Sequence, residues 1–459
     1  MRNSMARPVI SGAVVLALAG ALAGCGGSEE SGASGGSQSG GSGASCSNAI
    51  VHSDAPQVSV WAWYPKFEQV VDAFNSTHTD VQVCWNNTGQ GLDEYSKFST
   101  AIQAGTGAPD VIMLEYEVLP TFIMQNALED ISGYGANDAA GKYTEGAWKD
   151  VTNGDAVYAI PVDAGPMAMM YRKDIFDAYG VEVPATWEEF ADAAQQLRDA
   201  GYGGDICDFP PNGTALQVAL VAQAGADLYG FDAAQRDQVA LDVNSEASKK
   251  VMGYWSDLIQ KGLVAADDAN TTDWTTNTVG GAYATYPGAA WASGYLQGAS
   301  GADSDAVWQV APLPQWDASD PVEVNQGGSS FAVTTQASDK ALAAEVAMGL
   351  FDSEEAWKIG VEQAALFPTY TAALEADWFL DREDPFFGGQ KVNEVYVPAS
   401  QGYAGYQWSP FQTYAYDEQA KTWAAIASGS SSADDALDAL QQTLVTYAEQ
   451  QGFTVTEGR

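Results

Sequence analysis

The chain is 459 residues long and carries 60 Asp or Glu against 19 Lys or Arg, a formal net charge of −41. Such an excess repels nucleic acid and anionic lipid at long range, so no nucleic-acid partner is expected, and there is no basic patch to offset it. The length suffices for a short N-terminal segment and two ordinary domains.

Arg2 and Arg7 flank the start of an apolar run, residues 9–22, too short for a permanent transmembrane helix but suited to a secretory signal. It ends in Leu22-Ala23-Gly24-Cys25, which resembles the bacterial lipobox. That resemblance implies a lipoprotein signal peptide over 1–24 and a diacylglycerol on Cys25. Residues 26–45 are almost wholly Gly, Ser and Ala, a composition that buries no apolar surface and behaves as a flexible coil. With Cys25 they form a tether, 25–45, of roughly 25 Å root-mean-square span. The folded body is expected from Cys46 onward.

Three further cysteines follow, Cys46, Cys84 and Cys207. An exported protein can form a disulfide, and three thiols leave one over. Joining Cys46 to Cys84 would tie the start of the body to the second strand, although the spacing leaves other pairs open. His52 and His78 stand near no cysteine motif, so neither a metal nor a cofactor is expected.

Strand-like and helical runs then alternate. Val58 and Val60 point one way and Ser59, Trp61 and Trp63 the other, after which Pro65 opens a helix through Phe67, Val70, Val71 and Phe74. A strand over 81–85, a helix through Tyr95 to Ile102 and a strand over 110–114 continue the pattern, which implies parallel βαβ units. A helix over 119–128 comes next, and a strand broken at Pro161 marks the first passage between domains. Thr186-Trp-Glu-Glu189 is a capping box, so a helix starts at Trp187. A long helix covers 246–261. Gly327 and Gly328 interrupt a late strand, and helices over 340–351, 353–362, 417–429 and 433–449 close the chain.

In that order, "VSVWAW", "AGTGAPDVIMLEY", "YAIPVDAGPMAMMYRKDIFDAYGVEVPATWEEF", "APLPQW", "GGSSFAV" and "LFPTY" resemble the family 1 extracellular solute-binding proteins of bacterial ABC importers, the maltose-binding-protein-like group. The resemblance implies an α/β fold of two discontinuous lobes that close over a ligand in the cleft. Its chain crossings fall near Pro161, Pro287 and Phe367, giving lobe one residues 46–160 plus 289–362 and lobe two residues 161–288 plus 363–459. It implies a non-catalytic, monomeric receptor on the outer face of the cytoplasmic membrane, with a sugar or oligosaccharide as ligand and ABC permease subunits as partners.

Carried over position by position, the resemblance points to Trp61, Trp63, Glu115, Tyr116, Asp163, Asn212, Trp291, Gly327, Gly328 and Trp408 as ligand-binding residues. At the second crossing this chain reads Tyr286-Pro-Gly-Ala-Ala-Trp291, where the family commonly has Gly-Pro-Trp. A sugar suits such a set, because its C-H face fits an aromatic plate and its hydroxyls fit carboxylates and amides. The candidate cleft segments hold almost no cation beyond Lys66 and Arg172. Trp274 and Tyr406 are open to either a cleft or a packing role, and Tyr171 reads as core. Two other functions fit a paired-acid aromatic cleft: a secreted glycoside hydrolase using Glu115 and Asp163, and a receptor for a polyol or other solute.

Overall fold

Val58 and Val60 enter one hydrophobic cluster while Trp61 packs on another, the two-sided burial that a period of two dictates. The computed structural model describes residues 46–301 and 305–458. The signal peptide, Cys25 and the tether lie outside the described residues. The strands are β1 (Gln57–Trp61), β2 (Gln82–Asn86), β3 (Val111–Glu115), the short hairpin of β4 (Thr152–Asn153) and β5 (Ala156–Val157), and β6 (Ala159–Arg172). They continue with β7 (Tyr229–Phe231), β8 (Gln238–Leu241), β9 (Thr285–Ala289), β10 (Trp308–Pro312), β11 (Asn325–Val333) and β12 (Thr454–Glu457).

One sheet has the order β10-β6-β11-β3-β1-β2, with β9 also on β6. β1 is parallel to β2 and β3, and the connecting helices, Phe67–Thr77 and Leu92–Ala104, are the crossovers such pairing needs. The first of these helices begins at Phe67, not at Pro65. Pro65 sits in the preceding turn, and Lys66 caps the helix at a φ of 58°, in the left-handed region. The helix expected over 119–128 stops earlier, at Leu119–Met124, and the one expected from 417 starts at Gln412.

β6 has 14 residues and serves twice. Its first half, to Pro166, pairs with β11, and its second half, from Met167, pairs with β9 and β10. The second crossing is therefore not at Pro287. β9 lies against the far half of β6, with Pro287 opposite Met169, and the chain returns only at β11. Ala290, Leu296, Trp308 and Val310 share a core with Ala168 and Met170, so the boundary expected at Ala289 moves to about Asn325. The resemblance alone had suggested a crossing near Pro287; proline lacks the N–H a ladder uses, but an edge strand tolerates that loss. Near Phe367 the chain runs beside β6 again: Ala164 N donates to Phe367 O at 3.0 Å and Thr369 N to Val162 O at 3.3 Å.

A disulfide joins Cys46 to Cys84 across 38 residues of sequence, and the buried Cys207 is free. By loop-closure entropy a ring of that size contributes up to about 4 kcal/mol. Among the described residues no helix is long and apolar enough to cross a membrane.

Candidate ligand-binding cleft

Three neighbouring strands bring the first group of polar side chains into a row. β3 ends at Glu115, which pairs in register with Ser329 of β11, and Ser329 pairs with Asp163 of β6. Strand spacing sets the Cα atoms of Glu115 and Asp163 roughly 10 Å apart. Both line a cavity of about 460 Å3 together with Trp63, Trp291, Gly327 and Gly328. Ser329 is held from behind by the Tyr64 hydroxyl at 2.7 Å.

Each wall residue is positioned by a specific contact. Tyr95, on the helix Leu92–Ala104, donates its hydroxyl to Glu115 Oε2 at 2.7 Å and packs edge-on against Trp63 at 5.7 Å. Phe367 N donates to Asp163 Oδ1 at 2.7 Å, which ties that carboxylate to the third crossing. Trp291 Nε1 donates to Gln326 O at 2.9 Å and so fixes its ring beside β11. Tyr116 lies beneath the cavity, buried, its hydroxyl on Asp163 O at 2.9 Å. Gly328 has a φ of +105°, and a Cβ there would stand 2.6 Å from the Tyr116 ring. Only glycine lets the strand pass so close.

Burial drives the carboxyls upward. Desolvation raises Glu115 above the usual carboxylate range, opposed by the Tyr95 hydroxyl. Asp163 rises to about 7, mainly by burial, with the Phe367 N–H opposing and Glu115 adding to the rise. Glu117 is pushed well up by burial and then by Glu115.

Behind Glu115 lies a second group that sequence reasoning missed. Tyr416, on the helix Gln412–Ala427, feels the charges of Glu117, Tyr229, Glu115 and Tyr406. Glu117 Oε2 and Tyr416 Oη are buried atoms without a hydrogen-bond partner. An unpaired buried polar atom costs about 1–3 kcal/mol, so a set of them marks a place where something polar is to be received. Glu117 was legible in principle, two residues past Glu115 at a strand end. Tyr416 was hidden because its helix was expected to start one residue later.

The remaining candidates fall elsewhere. Trp408 is 6% exposed, packs edge-on against Tyr406 at 5.4 Å, and lines a second cavity of about 620 Å3 with Tyr406 and Asp150. Asp150, held by Tyr403 Oη and Tyr406 N at 2.9 Å each, is raised by burial to about 7. Trp61 is half-buried against the core and does not line either cavity. Asn212 is exposed and spends its amide on Ala269, donating to its O at 3.1 Å and accepting from its N at 2.8 Å. Trp274 Nε1 donates to Asp208 Oδ2 at 2.8 Å, away from both cavities. Tyr171 is buried and bonded to Gln309, as its apolar run implied. Of the two cations in the candidate segments, Arg172 is paired with Asp174 at 2.6 Å and Lys66 caps a helix; neither reaches the cavities.

The sequence pattern of the bacterial extracellular solute-binding proteins matches residues 62–356. The chain belongs to that family. As a solute-binding protein it is 22% identical over 293 residues to the arabinooligosaccharide-binding protein of Halalkalibacterium halodurans, covering 60% of this chain and 62% of the relative. It is 26% identical over 265 residues to an uncharacterized lipoprotein from the oleD 5' region of Streptomyces antibioticus, covering 55% and 57%. The chain spans about half the length of the curated relatives it matches, 47% of the first of them. Among solved structures, the ABC-transporter binding protein of B. animalis subsp. lactis in complex with beta-1,6-galactobiose superposes with a TM-score of 0.73 at 28% identity. That match covers 88% of this chain and 100% of the other. The fold is thus the two-lobed α/β architecture of solute-binding proteins, and the family is one of binding proteins.

Proposed function

We propose that this solute-binding protein is a non-catalytic receptor that takes a sugar, in the form of an oligosaccharide, into the cleft between its lobes and delivers it to an ABC importer in the membrane. The observation that carries this reading is the convergence on one cleft of Trp63, Trp291, Glu115 and Asp163, with the buried, unpartnered polar atoms of Glu117 and Tyr416 close to Glu115. Aromatic plates and acceptors fixed in direction are what a pyranose ring needs. The relative that holds a galactobiose supports the ligand class. In this reading lobe one comprises residues 46–160 with about 325–362, lobe two the rest, and closure is favoured by contacts the ligand makes in the closed state alone.

Delivery requires the protein to stay near its permease. Cys25, lipidated, with the tether of residues 25–45, would hold a monomer on the outer face of the cytoplasmic membrane, and the Streptomyces antibioticus relative described as a lipoprotein supports that placement. The test is a thermal-shift screen against mono- and oligosaccharides. A ligand at about 100 times its Kd should add about 2.7 kcal/mol of stability. No shift with any saccharide, or release of reducing ends in excess of the protein, would overturn the receptor reading, the second outcome in favour of a hydrolase using Glu115 and Asp163.

A further inference from the structure

We infer that the saccharide taken by this cleft carries a positive charge, an amino group seated between Glu115 and Asp163 in front of Ser329 and walled by Trp63 and Trp291. The inference rests on the sugar-receptor reading and specifies the chemistry of its ligand.

The geometry supplies two carboxyl groups and, among the described residues, no ion-pair partner for either. Glu115 and Asp163 face the same cavity from either side of Ser329. Glu115 has its Oε2 held by the Tyr95 hydroxyl. Among the described residues no ion pair involves Glu115, Glu117 or Asp163, although nine such pairs are formed elsewhere. The titratable groups that interact with Glu115 and Asp163 are acids or phenols: Glu117 and Tyr116 after β3, Tyr95 on the helix Leu92–Ala104, Tyr64 after β1 and Tyr416 on the helix Gln412–Ala427. Lys97, on the same helix as Tyr95, acts on Glu94 and is bonded to Thr88 O.

Two half-buried carboxylates without a cation repel each other, and the repulsion is relieved by a proton or by a charge the ligand brings. Nor is a metal the match, because among the described residues no three His, Cys, Asp or Glu are arranged to hold one. An organic ammonium fits the walls better: its donors satisfy two separated acceptors, and indole faces attract a cation that water no longer screens. A neutral sugar would leave the two acids to share hydroxyl donors and keep a proton. Burial raises both carboxyls, Asp163 to about 7, so an ammonium that enters favours the ionised form of Asp163 and its affinity rises with pH through that range.

The experiment is calorimetric titration of the full protein at pH 7 with glucosamine and galactosamine mono- to tetrasaccharides, beside their N-acetyl and hydroxyl counterparts of equal length and linkage. The aminated member of at least one set should bind ten times tighter or more than both counterparts and release protons, read from the difference between two buffers of unlike ionisation enthalpy. Glu115→Gln and, separately, Asp163→Asn should each erase most of that preference, and melting curves of both variants check that they fold. Neutral saccharides that bind as tightly as their amines overturn this inference alone. If no saccharide of any kind binds, the receptor reading falls with it.

Discussion

Trp408 shows how one side chain can belong to both a core and a binding surface. It is almost wholly buried, yet its indole Nε1 meets no acceptor and its ring lines the 620 Å3 cavity. Truncation to alanine should therefore cost about 3–5 kcal/mol of folding stability. Trp408→Phe separates the two roles better, because it keeps a six-membered aromatic ring while removing the donor with the rest of the five-membered ring. Its stability should stay within about 2 kcal/mol of the wild type, since nothing in the unliganded protein accepts that hydrogen bond. If a ligand hydroxyl accepts it, the phenylalanine variant should bind about tenfold more weakly by calorimetry, and equal affinities would leave the residue with a packing role only. At this scale the sequence was legible through the family resemblance: Glu115, Asp163 and the two glycines stand in the quoted segments that carry it, and all four line the cavity. It was illegible for Tyr416, which comes close to Glu115 from about three hundred residues further along the chain, on a helix whose start was misjudged.

Among the elements, the helix Trp187–Asp199 is the one written most plainly in the chain. Thr186 Oγ1 accepts from Glu189 N at 3.1 Å, and the Glu189 carboxylate returns to Thr186 N at 3.3 Å. Trp187, Phe190, Ala194 and Leu197 then fall on the buried face. Thr186→Ala should lower the denaturant midpoint by the equivalent of about 1 kcal/mol, with an unchanged slope. A loss under about 0.3 kcal/mol would mean that packing of Trp187 alone fixes the helix start. β9 is the opposite case. Its five residues contain a proline and no run of β-branched side chains, so nothing local announces a strand, and its place depends on an antiparallel partner more than a hundred residues earlier. Local rules of capping and periodicity need only neighbours in sequence, whereas the pairing that decides where the chain crosses needs the whole sheet.

The molecule as a whole is tuned toward acid. Glu94 is fully buried with one oxygen unpaired and rises to about 8, and Asp150 and Asp208 rise to about 7, each chiefly through desolvation. An unfolded carboxyl titrates near 4, so between about pH 4 and 7 the folded chain holds protons that the unfolded chain has released, and stability must fall as pH rises. Each such group contributes at most about 1.4 kcal/mol per pH unit across that window. The net charge of −41 acts in the same direction through self-repulsion. Urea melts of the unliganded protein should give a higher unfolding free energy at pH 5 than at pH 8, and Asp150→Asn and Asp208→Asn should flatten the difference. A profile that rises with pH would show that these carboxyls are ionised in the folded state.

The sheet order also sets a timetable for synthesis. β11 lies between β3 and β6, so both strands must wait for a partner that follows β6 by about 150 residues. At roughly 5–20 residues per second that gap lasts about 8–30 seconds. During it the edges of β3 and β6 stand open to any other chain that offers a strand. The lobe that emerges first is thus completed late, and the nascent protein passes through an interval in which protection from its neighbours matters more than its own stability.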